Sequence, residues 1–434
     1  MSRTRFTALA AALAAPLALV TCKNSEAPKT RAPIVSVYAG DQQPGLAGWA
    51  VNIRPAVRVT DSAGAVITGA SVTFAVTGGG GSATGLTTTT DPNGIAQVGP
   101  WTLGSTPGLN TMSVTVAASG YTTVQRTFGD TGYSPGYTIT IQQFGPPFPA
   151  AAQAAFDSAV AKWQRIIYRP LSQIALDIPA DSACPGIPTP AINMTTTGLV
   201  ILASVDSIDG PGKTLAEASP CRIRGSNSLT AVGIMKFDSA DVKSLTAASL
   251  AFVVLHEMNH VLGFGTLWGV SPYNYLQLPS SPPGTILDTY FSGPKGVLAF
   301  DSTGGLNYTG AANNPSVGSH QVPVEDCGTS PYVSPTCGLG TVNSHWRKVV
   351  FGNELMTGYI STGANPLTIV SVAADADLGY VVNYAAADQS GWSKNFSAPP
   401  QQGARQIWVG DDVLRIPIGV LDASGRTVRV VRPR

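Results

Sequence analysis

Two periodicities divide the chain. From Ile34 to about Arg126 apolar residues recur at every second position in short runs: Val51 and Ile53, Val57 and Val59, Val72-Phe74-Val76, Met112-Val114-Val116. A period of two puts successive side chains on opposite faces, so each run predicts a strand with one buried face. Asp61-Ser62-Ala63-Gly64 and Asp91-Pro92-Asn93-Gly94 are turn sequences between such runs. Short strands at this spacing predict a β-sandwich of about 90 residues. Gly129 to Gly136 (GDTGYSPG) reads as a linker, and beyond it the period becomes helical. Phe156, Val160, Trp163 and Ile167 recur at i, i+4, i+7 and i+11, predicting a helix over Pro149 to Tyr168 that Pro170 stops. Leu199 to Val205 is a compact apolar strand, and a second helix is expected from about Thr246 to Leu262. Ile407 to Val409 and Val413 to Val420 read as strands in a short tail (391–434), expected to pack on a neighbouring domain and given no role.

The chain has 434 residues, enough for about two to four domains. Its 26 Lys and Arg balance 25 Asp and Glu, which excludes the basic footprint of a nucleic-acid binder and an acidic tail. Gly78 to Gly81 lacks the following Lys-Ser/Thr of a phosphate loop and lies in the sandwich. The first 22 residues have the build of an export signal: Arg3 and Arg5, then an uncharged apolar run from Phe6 to Val20. The ending Leu19-Val20-Thr21-Cys22 resembles a lipoprotein processing box, with Thr21 where a small residue is preferred, making Cys22 a possible lipidation site. Residues 23–33 (KNSEAPKTRAP) read as a tether. The mature chain is thereby expected outside the cytoplasm, secreted or lipid-anchored at the cell envelope, with no other membrane contact.

Only four histidines are present, and two of them stand in His256-Glu257-Met258-Asn259-His260. On a helix, a spacing of four puts both imidazoles on one face, one turn apart, where two nitrogens can reach one zinc ion. Glu257 lies on an adjacent part of the helix, within reach of a metal-bound water. Catalytic zinc usually has three protein ligands, so a third must come from elsewhere. Gly263 completes H-E-x-x-H-x-x-G, similar to the opening of the metzincin motif, but position 266, where the compact form has its third His, is Thr. His320 and His345 remain downstream; His320 sits in a polar, turn-rich stretch that suits an exposed loop. Glu325 or Glu354 as the third ligand is the alternative.

The strings HEMNHVLGFGTLW (256–268) and NELMTG (353–358) resemble the leishmanolysin family of zinc endopeptidases, particularly its exported bacterial members. Ile208-Asp209-Gly210, GKTLAEASP (212–220) and Ala376 to Tyr380 extend the similarity over about 137–390. The resemblance implies one zinc ion held by His256, His260 and His345, with Glu257 as general base. It implies Met356 as an apolar floor beneath the metal, Tyr359 as a possible oxyanion contact, and protein or peptide substrates. The VTDSAGAVITGASVTFAV and DPNGIAQV runs resemble bacterial Ig-like domains of invasin-type surface proteins, placed at 34–127. The expected architecture is thus a signal (1–22), a tether, an all-β Ig-like sandwich, an α+β metzincin-type zinc peptidase domain and a short β-rich C-terminal segment. A surface adhesion protein with an inactive peptidase-like domain is the rival reading, and the intact Glu257 speaks against it. Apart from Cys22 the cysteines are four, consistent with oxidising export, and proximity suggests Cys184 with Cys221 and Cys327 with Cys337.

Overall fold

A computed structural model describes residues 31–280, 288–308, 321–326, 341–361, 363–394, 406–409 and 411–433. The N-terminal part is two sheets around one core. A three-stranded sheet, Ile34–Ala39, Ala56–Thr60 and Ile95–Gln97, supplies Val35, Val57, Val59 and Ala96. The facing five-stranded sheet runs in the order Pro44–Leu46, Val124–Tyr133, Gly108–Ala117, Ser71–Gly78, Thr87–Thr89. It supplies Val72, Phe74, Met112, Val114, Val116 and Phe128, the alternate positions that the period of two selects.

One boundary differs from expectation. Gly129 to Tyr133, read as linker, continues the strand Val124–Tyr133, and Gly129 to Gly132 pair antiparallel with Gly108 to Thr111. Turn-forming residue types do not prevent pairing when a partner strand satisfies their backbone groups.

The second body is built on a six-stranded sheet in the order Ile139–Gln143, Leu199–Asp206, Thr230–Asp238, Ala216–Arg224, Ile418–Leu421, Thr427–Val431. Two helices pack on it: Ala150–Ile166, and a central helix, Ala247–Leu262, against the strands Ala216–Arg224 and Thr230–Asp238. Trp163 Nε1 donates to Leu255 O (3.2 Å) and ties the two together. The tail joins this sheet, with Ile418–Leu421 lying parallel to Arg222–Arg224. Val413, expected in a strand, makes only an isolated bridge, to Ala218. A smaller core under the hairpin Ile174–Ile178/Ile192–Thr196 contains a Cys184–Cys221 disulfide. Among the described residues no helix is long and apolar enough to cross a membrane.

Candidate metal centre

The central helix is fixed at both ends. Thr246 Oγ1 accepts from Ser249 N (3.1 Å), satisfying an otherwise unpaired amide of the first turn. Gly263 (φ +124°) ends it, its N–H reaching the carbonyls of Asn259 and His260. A Cβ there would stand 2.7 Å from Leu267 Cδ1, so the sharp exit requires glycine. Inside the helix, Asn259 in the amide orientation that satisfies both groups donates to the two oxygens of buried Asp375 (3.1 and 3.3 Å). That contact anchors the helix to the helix Ile369–Asp377.

His256, His260 and His345 meet at one point. Their Nε2 atoms are 3.0 Å (256–260), 3.1 Å (256–345) and 3.0 Å (260–345) apart, and all three rings are fully buried. Each Nδ1 faces a backbone carbonyl: Leu355 O at 2.7 Å, Phe264 O at 2.9 Å and Thr341 O at 3.0 Å. Because a carbonyl can only accept, Nδ1 carries the proton and each Nε2 turns a lone pair inward. Burial lowers the pKa of His256 and of His260, which favours those neutral rings. Three lone pairs crowded together repel one another unless a cation lies between them. Zinc bound at about 2.0–2.1 Å by tetrahedral nitrogens would space them about 3.3 Å apart, close to what is found.

The third histidine reaches this point through packing that only the folded chain displays. Gly265 (φ +71°) lies so close to the 344 backbone that a Cβ would sit 2.1 Å from Ser344 O. Trp346, next to His345, is buried against Phe264 (5.0 Å between ring centroids), Trp268 (4.9 Å) and Phe351 (5.2 Å). Its backbone N–H donates to Met356 O (2.9 Å), which joins the His345 segment to the Met356 turn. Met356 is buried in that turn, and the preceding Leu355 carbonyl is the one that orients His256.

Neither glutamate considered as a third ligand is in the cluster. Glu354 accepts from Thr368 N (3.0 Å), Ser371 Oγ (2.6 Å) and Met356 N (2.5 Å), bracing the turn. Burial nevertheless pushes its pKa up to about 7. Glu325 Oε2 accepts from Lys348 N (3.1 Å). Tyr359 lies in the strand Tyr359–Ser361 with the Lys348 ammonium 5.6 Å from its ring centre. Cys22, His320, Cys327 and Cys337 lie outside the described residues.

Glu257 is fully buried beside the histidine cluster, and among the described residues neither of its oxygens has a hydrogen-bond partner. Burial raises its pKa well above that of an ordinary carboxyl, with Asp412 and Glu217 adding like charge.

Asp412 is the residue that the sequence reading missed. Its Oδ2 is 3.0 Å from His345 Nε2, 3.1 Å from His256 Nε2 and 3.6 Å from His260 Nε2. The ligand atoms of all four residues lie within 4.8 Å of one another. A carboxylate facing three lone pairs strengthens the case for a cation at their centre.

A model of the leishmanolysin peptidase family (Peptidase_M8) matches residues 173–275 and 305–399. The matched stretches contain His256, Glu257, His260, His345 and Met356, and they end before Asp412. This supports the resemblance to that family. No curated protein matches the chain. Among solved structures, a Bacteroides ovatus GH5 xyloglucanase in complex with a XXXG heptasaccharide aligns at 12% identity over 51% of this chain. The chain spans 44% of that protein's length, and with a TM-score of 0.17 the likeness carries no argument.

Proposed function

We propose that the chain is an exported zinc metalloendopeptidase of the leishmanolysin type, carrying an Ig-like module at its N-terminus. The observation that carries this reading is the convergence of three inward Nε2 lone pairs beside an unpartnered glutamate, inside the stretch that the family model matches. His256, His260 and His345 hold the ion. Zinc, when bound, lowers the pKa of a water toward about 7 and polarises a peptide carbonyl. Glu257 takes the proton of the attacking water on its carboxylate and returns it to the leaving amine nitrogen. Burial, with the like charges of Asp412 and Glu217, raises its pKa and so favours its holding the proton that it passes to the amine. Met356 packs the floor beneath the imidazoles, and the substrates are proteins or peptides. The Cys184–Cys221 disulfide supports an oxidising compartment, in keeping with the export signal read in residues 1–22.

Casein hydrolysis by the zinc-loaded protein, with and without 1,10-phenanthroline and in parallel with Glu257→Gln, tests the reading. Cleavage that stops with the chelator and with the substitution supports it. Cleavage that survives both overturns it.

A further inference from the structure

A catalytic zinc site keeps one position open for water, whereas a closed set of four protein ligands is the mark of a structural site. Here a fourth ligand atom stands at the three imidazoles. Asp412 is wholly buried, aims Oδ2 at the three imidazoles and, among the described residues, leaves Oδ1 without a partner. Glu257 is sealed in beside it with no access to solvent. A purely structural ion has no use for a buried, unpaired carboxylate at this place in the helix, so the arrangement is that of a catalytic site held shut.

The backbone around Asp412 adds a second observation. Ala218 N donates to Asp412 O (2.7 Å) and Leu414 N donates to Ala218 O (3.0 Å), so the segment runs parallel to the strand Ala216–Arg224. On its other side that strand is already paired with Thr230–Asp238. Ile418–Leu421 takes the Arg222–Arg224 end of this side, so the groups that Asp412 and Leu414 use belong to the remaining stretch around Ala218, to which an extended peptide could add as a further strand beside the metal if the segment left. Farther upstream, Gln406–Trp408 pairs antiparallel with Tyr359–Ser361, the strand that follows the Met356 turn. Arg415 Nη2 donates to Val342 O (3.0 Å), three residues before His345. The tail thus spans the site from the turn to the sheet edge.

We propose that Asp412 is a fourth protein ligand of the metal, and that the segment carrying it occupies the substrate's strand position, so that the enzyme is latent until the segment is displaced. This rests on the peptidase reading above. Displacement removes one carboxylate from the ion and frees one sheet edge; no covalent change is required.

The test uses the full-length chain and three variants. Asp412→Ala and Asp412→Asn remove the ligand, and Leu414→Pro removes the N–H given to Ala218 while leaving all four ligand side chains in place. For both Asp412 variants the proposal expects zinc affinity, measured by chelator competition, to fall at least as far as the roughly 10–100-fold that outer-shell losses cost. It also expects a changed visible spectrum of the cobalt-substituted protein. All three variants should hydrolyse casein at least tenfold faster than the intact chain. Unchanged zinc affinity and cobalt spectrum in both Asp412 variants would remove Asp412 from the metal. An intact zinc-loaded chain that cleaves casein as fast as the variants would overturn the closure and leave the peptidase reading standing. Folded, zinc-bound variants that all fail to cleave would overturn both.

Discussion

The two bodies handle buried polar groups in opposite ways. The sandwich buries alternate apolar side chains and few polar ones, chiefly Thr90, Asn110 and Asp130. Asn110 is well satisfied: Oδ1 accepts from Gly104 N (2.7 Å) and Nδ2 donates to Gly108 O (3.1 Å). The second body buries His256, Glu257, Asn259, His260, His345, Glu354, Asp375 and Asp412, and brings four of them to one point. An unpaired buried charge or dipole costs free energy that packing must offset. The sandwich bears that cost chiefly at Asp130, and the second body concentrates it where a cation would turn repulsion into binding. In the second body, single changes are therefore felt at the metal.

The largest effect on that contrast is expected from His345→Ala. Two histidines and a carboxylate remain, but the one imidazole supplied from outside the central helix is gone, so zinc content by mass spectrometry should fall from near-stoichiometric to near zero. Full zinc retention by a folded His345→Ala protein would show that the ion, if any, is held elsewhere. Glu257→Gln comes next. Made in the Asp412→Ala background, where the site is expected to be open, it should keep its zinc and lose about 10²–10⁴-fold in casein hydrolysis. Loss of the ion with the activity would mark Glu257 as a ligand and not a base.

The contrast also explains which parts the sequence could disclose. Val72, Phe74 and Val76, or Met112, Val114 and Val116, declare a strand within five residues, because alternation is local. His256 and His260 are equally local, one helical turn apart. Asp412 stands 156 residues from His256, and nothing in its Asp411-Asp412 neighbourhood differs from an ordinary polar turn before a strand. Its role follows only from the tail joining the sheet beside Ala216–Arg224, a long-range pairing with no spacing rule. Gly129 to Tyr133 failed for the reverse reason: the local signal was clear, and tertiary pairing overrode it. Gly265 lay in plain view within Gly263-Phe264-Gly265, yet the close approach of Ser344 that demands it is visible only in three dimensions.

That approach gives the third prediction. Gly265→Ala puts a methyl group against a backbone oxygen that cannot rotate away, at a φ that costs alanine about 1–2 kcal/mol before any clash. The 344 backbone must shift, and His345 with it. Thermal unfolding of the second body should drop by several degrees, and zinc affinity should weaken together with stability. A glycine-to-alanine change at Gly64 in the sandwich, also at positive φ (+84°) but with nothing near its Cβ, should lower stability by the conformational cost alone and leave the metal untouched. Equal zinc loss in both would show that the Ser344 contact does not position the ligand.

The smallest effect lies wholly in the sandwich, at its one buried carboxylate. Asp130 Oδ1 accepts from Gln43 N (3.1 Å), while Oδ2 is buried without a partner. Burial raises its pKa from 3.8 to about 7, with the nearby Asp41 adding to the rise and the Gln43 donors opposing it. Below about pH 3.8 the carboxyl is protonated in both folded and unfolded chains, and stability does not depend on it. Between pH 3.8 and 7 the folded chain keeps a proton that the unfolded chain releases, so the sandwich loses stability as pH rises. The slope is at most about 1.4 kcal/mol per pH unit, and it flattens above pH 7. Asp130→Asn keeps the oxygen that Gln43 needs and removes the charge, so it should abolish this slope and raise the sandwich's unfolding temperature at pH 8. Calorimetry of the full chain at pH 4, 6 and 8 reads it directly, because the two bodies have separate cores. A wild-type sandwich that grows more stable from pH 4 to 8 would mean that the Asp130 charge is stabilised in the fold, and the contrast between the two bodies would lose its clearest energetic mark.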